Sequence, residues 1–226
     1  MDQPIPSTRF DLATPEGRRR AENDLIWGDH GFLRARFSNF HWISEEMARA
    51  NQPSPDQIAG YGEMGFKTIV NVRGPSDTGY YALEKEACDR HGLALVDLRM
   101  HSREAPSKEQ VLAARNLFQT IAYPALIHCK SGADRAGVMA VLYEHFRRGK
   151  SIAEAMEQLS FKYLHVKQGK TGVIDFYFET YLRDSAVSGK SFLQWVEEDA
   201  DPVAIKAKFR SAAWANILVD KILRRE

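Results

Sequence analysis

Apolar and polar positions change period several times along the chain, and each change predicts an element. Residues 32–43 are rich in aromatics and alternate loosely, which predicts one or two edge strands. Ser54-Pro55-Asp56-Gln57 reads as a helix start, with Ser as the cap, Pro at the first helical position and Gln three residues after the cap. That helix should end near Gly65. Residues 66–72 form a β-branched run stopped by Gly74-Pro75, and so predict a strand. Residues 80–91 predict a helix closed by Gly92, and residues 93–100 a further strand. A second capping box, Ser107 to Gln110, opens a helix to about Ala122. Pro124 then introduces the short apolar strand Ala125-Leu126-Ile127. Residues 135–148 place Val138, Met139, Leu142 and Phe146 on one helical face. Helices are also expected after Ser151 and over residues 172–183.

Strands separated by helices of ten to fifteen residues predict an α/β fold with a mainly parallel central sheet flanked by helices. Residues 1–29 are polar and proline-bearing and read as an N-terminal arm, docked late or mobile. A Ser/Gly/Lys stretch over 185–191 separates the domain at 30–185 from a C-terminal helical extension at 186–226. In the extension Val203, Ile205, Phe209, Trp214, Ile217, Leu218 and Leu223 form an apolar set. Packing on the main domain is the expected use of that face, with a membrane surface or another subunit as alternatives.

Composition narrows the classes. There are 31 basic and 30 acidic residues, a net charge of +1, which argues against a nucleic-acid carrier. Two cysteines make no disulfide framework and read as free thiols in a reducing compartment. The N-terminus has no apolar core of a secretory signal, and no apolar run is long enough for a transmembrane segment. A cytoplasmic protein is therefore expected.

The chemistry concentrates in His128-Cys129-Lys130-Ser131-Gly132-Ala133-Asp134-Arg135, where the apolar strand ends and a helix begins. A thiol near a helix N-terminus and a cation is favoured as a thiolate. A short loop whose successive N–H groups point inward makes an anion nest, so the amides of Lys130, Ser131, Gly132 and Ala133 are candidate phosphate ligands. Gly132 allows a backbone conformation closed to other residues. Arg135 presents a planar fork that holds two phosphoryl oxygens.

This segment resembles the His-Cys-x-x-Gly-x-x-Arg signature of the protein-tyrosine and dual-specificity phosphatase superfamily. The resemblance extends upstream through residues 48–54 and Asn71-Val72-Arg73-Gly74, and is strongest to the atypical bacterial and plant-fungal dual-specificity branch over about residues 30–185. It implies the cysteine-phosphatase fold, no cofactor or metal, and phosphomonoester hydrolysis through a phosphocysteine on Cys129, with Arg135 on the phosphate. It implies that His128 tunes the thiolate from behind the loop; a plain core histidine is the alternative. Partners would be a phosphorylated protein or a small phosphorylated molecule such as an inositol phosphate or lipid head group. A phosphate-binding pseudophosphatase, and sulfur-transfer or arsenate-reducing chemistry, are the rival readings.

Four departures or additions accompany the resemblance. Ala136 stands where many members carry Ser or Thr. The loop expected to bring the general acid, residues 101–106, holds no Asp; Glu104 is the acid available there, and Asp97 is a candidate from within the preceding strand at 93–100. Asp134, immediately before the signature Arg, instead resembles the acid of myotubularin-like lipid phosphatases. Cys88 resembles the cysteine of tensin-like phosphatases that captures the oxidised nucleophile as a disulfide; a packed thiol is the alternative. Residues 161–170, with Lys162, His165, Lys167, Gln168 and Lys170, form either a basic rim to the site, with Gln168 placed to orient the hydrolytic water, or a solubilising loop.

Overall fold

The computed structural model describes residues 9–34 and 37–211. Five strands form one sheet: β1 (His41–Trp42), β2 (Met47–Ala50), β3 (Thr68–Asn71), β4 (Ala94–Asp97) and β5 (Ala125–His128), in the order β1-β2-β5-β3-β4. The pairs β2–β5, β5–β3 and β3–β4 are parallel, and only β1 runs antiparallel. β5 is thus a central strand with neighbours on both sides. Its residues are buried on both faces, which explains its unbroken apolar sequence.

Among the described residues the sheet is flanked by α1 (Pro15–Asn23), α2 (Gly31–Arg34), α3 (Pro55–Glu63), α4 (Gly79–His91), α5 (Lys108–Thr120), α6 (Asp134–Phe146), α7 (Ile152–Ala155), α8 (Val173–Ser188) and α9 (Phe192–Glu198). A further helical stretch begins at residue 202. The capping boxes at Ser54 and Ser107 form as predicted, each side chain accepting from the N–H three residues on. Ser151 and Ser191 cap α7 and α9 in the same way.

The strand alternation divides the core. Met47, Val70, Ala125, Ile127 and Cys129 belong to the face covered by α5, α6 and α8. Ala48, Ile69 and Leu126 belong to the opposite face, with Ile58 of α3 and Cys88 of α4.

Several expectations shift. Residues 31–34 are helical, and only His41–Trp42 pair as an edge strand in the predicted 32–43 region. β2 was not expected as a strand, because Met47-Ala48-Arg49-Ala50 has neither alternation nor a β-branched residue; pairing with β5 overrides its local preference. The strand predicted over 93–100 is regular over Ala94–Asp97, and the N–H groups of Leu98 and Met100 go on donating to the carbonyls of Asn71 and Val72. The helix predicted to stop at 183 continues to Ser188, where Gly189 closes it in a left-handed conformation.

Within the N-terminal arm, α1 rests against α4: Ala21 is buried with Ala82 and Leu83, and the Gly79 Cα lies so close to the backbone of Ala21 that a Cβ there would sit 2.3 Å from its carbonyl oxygen. In the C-terminal extension Phe192, Trp195, Val196 and Ile205 are buried in the main core, and Phe209 packs against it. Val203 is exposed. Trp214, Ile217, Leu218 and Leu223 lie outside the described residues. Among the described residues, no helix is long and apolar enough to cross a membrane.

Candidate active site

β5 delivers His128 and Cys129 to its C-terminal end, and α6 begins at Asp134. Ligand sites of open parallel sheets lie at such strand ends. The loop between is held from below. Gly132 has φ +75, and a Cβ there would lie 2.7 Å from the carbonyl carbon of Ala50. Only glycine meets both demands, as the sequence suggested. Its N–H donates to Cys129 Sγ over 3.2 Å. The sulfur is almost wholly buried, at 2% exposure for the residue. Ala133 occupies the cap position of α6 without a side-chain cap, so it brings no side-chain acceptor to the amides of the first turn.

Arg49 was not singled out as a site residue, yet it organises the loop. Its side chain is fully buried. Nη2 donates to the carbonyls of Gly132 and Ala133, both at 2.8 Å, and Nη1 donates to the carbonyl of Gln158 at 2.7 Å. In a trans peptide the N–H points opposite to the C=O. Drawing these two carbonyls inward turns the amides of Ala133 and Asp134 outward. Burial pushes the Arg49 guanidinium down to about 10, partly offset by the neighbouring acidic groups Cys129, Tyr163 and Asp134, so it stays charged at neutral pH. Its guanidinium also lies over the Tyr163 ring, 4.2 Å from the centroid. The sequence signal was an Arg inside a buried strand, legible only once β2 is known.

Behind the loop runs a buried polar chain. His128 Nε2 lies 2.6 Å from Glu84 Oε1, and both side chains are wholly inaccessible. Glu84 Oε2 accepts from Gln52, whose Oε1 accepts from Arg73 at 2.8 Å. Arg73 makes a two-point contact with Asp29, 2.8 Å at each oxygen. Asp29 in turn meets Arg34 at 2.6 Å and Lys130 at 3.2 Å. Burial alone would raise the Asp29 carboxyl, but Arg73, Arg34 and Lys130 hold it below the usual range. His128 and Lys130 are therefore tied to the scaffold from either side of Cys129. Asn39 adds a third tie, donating to the carbonyl of Ser131 at 2.9 Å and that of Tyr163 at 3.2 Å.

The acid candidates separate clearly. Asp134 is partly exposed and its Oδ1 lies 2.8 Å from His165 Nδ1. Glu104 is exposed and paired with Lys206 at 2.8 Å, which holds its carboxyl low. Asp97 sits in β4; burial raises its carboxyl, while donors from Tyr81 at 2.6 Å and Asn71 at 2.7 Å occupy its oxygens. Arg135 is half-buried in the first turn of α6. Lys130 pairs with Asp29 and Asp134 with His165, whereas Arg135 has no ion pair among the described residues. Ala136 is fully buried behind the loop.

Of the remaining candidates, Cys88 is buried on the opposite face of the sheet from Cys129, and burial pushes its thiol up to about 12. The two cysteines are free, and a disulfide between them would have to cross the sheet. In the 161–170 stretch His165 is buried against Asp134, Lys167 is paired with Glu179, and Lys162, Gln168 and Lys170 are exposed.

Comparison with known proteins follows the geometry. Among solved structures, the chain is similar to TpbA of P. aeruginosa, with 20% identity over 67% of this chain and 88% of that one and a TM-score of 0.51. It is similar to a cysteine-to-serine variant of TpbA in complex with pTyr, with 19% identity, 71% and 91% coverage and a TM-score of 0.50. PTPMT1 is 14% identical, with 65% and 98% coverage and a TM-score of 0.49. No curated protein sequence matches. The family model described as a DSP-PTPase phosphatase fused to NAD+ kinase matches residues 41–179, more than half of the chain. The chain belongs to this family of dual-specificity-type phosphatases.

Proposed function

We propose that the protein hydrolyses phosphomonoesters through a phosphocysteine on Cys129. The observation that carries this reading is the setting of the sulfur: buried at the end of β5, accepting from the Gly132 N–H, with a charged Arg49 behind the loop and Arg135 in the first turn of the helix beyond. A sulfur that accepts an amide hydrogen bond at the mouth of an anion-binding loop is placed for nucleophilic attack.

Cys129 Sγ attacks phosphorus, and the bond to the leaving oxygen breaks with its electron pair passing to that oxygen. Asp134 gives the leaving oxygen its proton. Water then attacks the phosphocysteine, Asp134 takes its proton, the S–P bond breaks and the thiolate is restored. The outward amides of the loop and the Arg135 fork hold the equatorial oxygens throughout. Every step draws on the chain's own residues. Phosphotyrosine is the favoured substrate, supported by the shared fold of the TpbA variant bound to pTyr.

The test is acid quenching of the enzyme during turnover of a phosphorus-labelled aryl phosphate. A covalent label on Cys129 that survives alkali but is released by iodine oxidation of its S–P bond, absent in Cys129→Ser, is expected. Turnover retained by Cys129→Ser would overturn the reading. Absence of turnover in the parent enzyme, with phosphate still bound, would favour a binding module instead.

A further inference from the structure

Asp134 does not stand alone. Its Oδ1 meets His165 Nδ1 at 2.8 Å, and His165 Nε2 meets Asp175 Oδ2 at 2.7 Å. The three side chains form a line leading from the core to the site. Asp175 is 5% exposed, His165 1% and Asp134 23%, so Asp134 is the member that reaches the solvent side. The line joins elements far apart in sequence: the first turn of α6, the loop after α7 and the first turn of α8. The loop is folded for this purpose. Leu164 takes a left-handed conformation, His165 N donates to the Ser160 carbonyl at 3.2 Å, and Asn39 ties down the Tyr163 carbonyl.

We propose that His165 is a positioning residue for the phosphatase reaction, held by Asp175 so that it occupies Asp134 Oδ1 and presents Oδ2 to the leaving oxygen of the substrate. This inference rests on the acid role of Asp134 given above.

Each ring nitrogen faces a carboxyl oxygen, and a protonated imidazole can donate to both. Burial opposes that charge, but the bonds to Asp134 and Asp175 outweigh it and raise His165 to about 9. Arg49, beneath the Gly132 and Ala133 carbonyls, with the Tyr163 ring stacked on it, and Lys167, whose charge acts on Asp175, also face this corner.

Asp175 has a second effect. A bare imidazolium beside Asp134 would favour the ionised carboxylate and work against proton donation. His165 and Asp175 together are formally neutral, so Asp134 meets an oriented dipole rather than a net charge. The arrangement has the logic of a catalytic base oriented by a third group, with the carboxylate and the imidazole in exchanged places. A side chain fixed at one oxygen loses its free rotation before the substrate arrives, and the orienting cost is removed from the barrier.

The test compares His165→Ala, Asp175→Asn, Asp134→Asn and the double variant Asp134→Asn/His165→Ala. Phenyl phosphate has a poor leaving group, and 4-nitrophenyl phosphate a good one. For His165→Ala we expect kcat/KM on phenyl phosphate, which ends at phosphoryl transfer to Cys129, to fall about ten- to hundredfold, within the range a general acid supplies. kcat/KM on the nitrophenyl ester should be nearly unchanged, while kcat on both esters carries any slowing of the shared hydrolysis step in which Asp134 is the base. Asp175→Asn should show the same pattern more weakly. In the Asp134→Asn background, removing His165 should change nothing further, because His165 acts only through the Asp134 carboxyl. The nitrophenyl kcat/KM reports folding, and Asp175→Asn serves if His165→Ala fails to fold. Equal losses of kcat/KM on both substrates, or a loss that adds to that of Asp134→Asn, would overturn the positioning role while leaving Asp134 as the acid. A normal phenyl phosphate rate in Asp134→Asn would overturn the acid assignment itself, with the phosphocysteine label on Cys129 still intact.

Discussion

Arg49 Nη2 donates to the Gly132 carbonyl across 2.8 Å, joining strand β2 to the loop that carries the signature. The bond spans 83 residues of sequence and is fully buried. It makes the shape of the phosphate cradle depend on a strand that carries none of the chemistry. Replacing Arg49 by Met keeps apolar volume but strands three buried carbonyls, each worth about 1–3 kcal/mol when left unpaired. A loss of about 3 kcal/mol or more in urea unfolding is expected, with phosphate affinity reduced in whatever folded protein remains. Unchanged phosphate binding by Arg49→Met would show that the loop holds its shape without this support.

The three acid candidates respond differently to amide substitution. Glu104 faces solvent and pairs only with Lys206, so Glu104→Gln should leave turnover within about twofold on any leaving group, as for an exposed pair of little energetic weight. Asp97→Asn disturbs the contacts with Tyr81 and Asn71 and should lower the melting temperature, with little dependence on leaving group. Asp134→Asn should cost about 10²–10⁴ on phenyl phosphate and far less on the nitrophenyl ester. A plot of log kcat/KM against leaving-group pKa for the three variants reads all of this at once: only Asp134→Asn should steepen the slope.

Stability should carry the signature of His165. Its folded value of about 9 lies above the ordinary 6.5, so the folded state binds this proton more tightly than the unfolded one. The stabilisation is fully present below pH 6.5 and is lost as pH rises through 9. The gap corresponds to at most about 3 kcal/mol. Chemical denaturation of the parent and His165→Gln between pH 6 and pH 10 should therefore converge toward the alkaline end. Parallel curves would mean that the imidazole is not charged in the folded protein.

Oxidation should stop at the nucleophile. Cys88 and Cys129 lie on opposite faces of the sheet, and the Cys88 thiol is held well above neutral pH by burial. Peroxide treatment followed by peptide mapping should find sulfenic or higher acids on Cys129 and an unmodified Cys88. Recovery of a Cys88–Cys129 disulfide would require the sheet to open and would restore the self-protection that the sequence resemblance suggested.

The sequence by itself determined what depends on neighbours in the chain. The capping boxes at Ser54 and Ser107 are four-residue devices, and they form where they are written. The apolar run ending at His128 can only be a central strand, and Gly132 can only serve a backbone turn that other residues avoid. The order Cys129 to Arg135 places a thiol and a guanidinium at the two ends of one short loop whatever surrounds it. Tertiary structure decided what depends on residues distant in sequence. β2 exists because β5 offers it hydrogen bonds, not because Met47–Ala50 prefers to be extended. Arg49 reaches the loop, His128 is tied to Lys130 through Glu84, Gln52, Arg73 and Asp29, and His165 meets Asp134 only once the loop after α7 folds against the first turn of α6. Buried charges must find partners wherever the chain brings them. Those partners are set by packing in three dimensions, which leaves no local pattern to read.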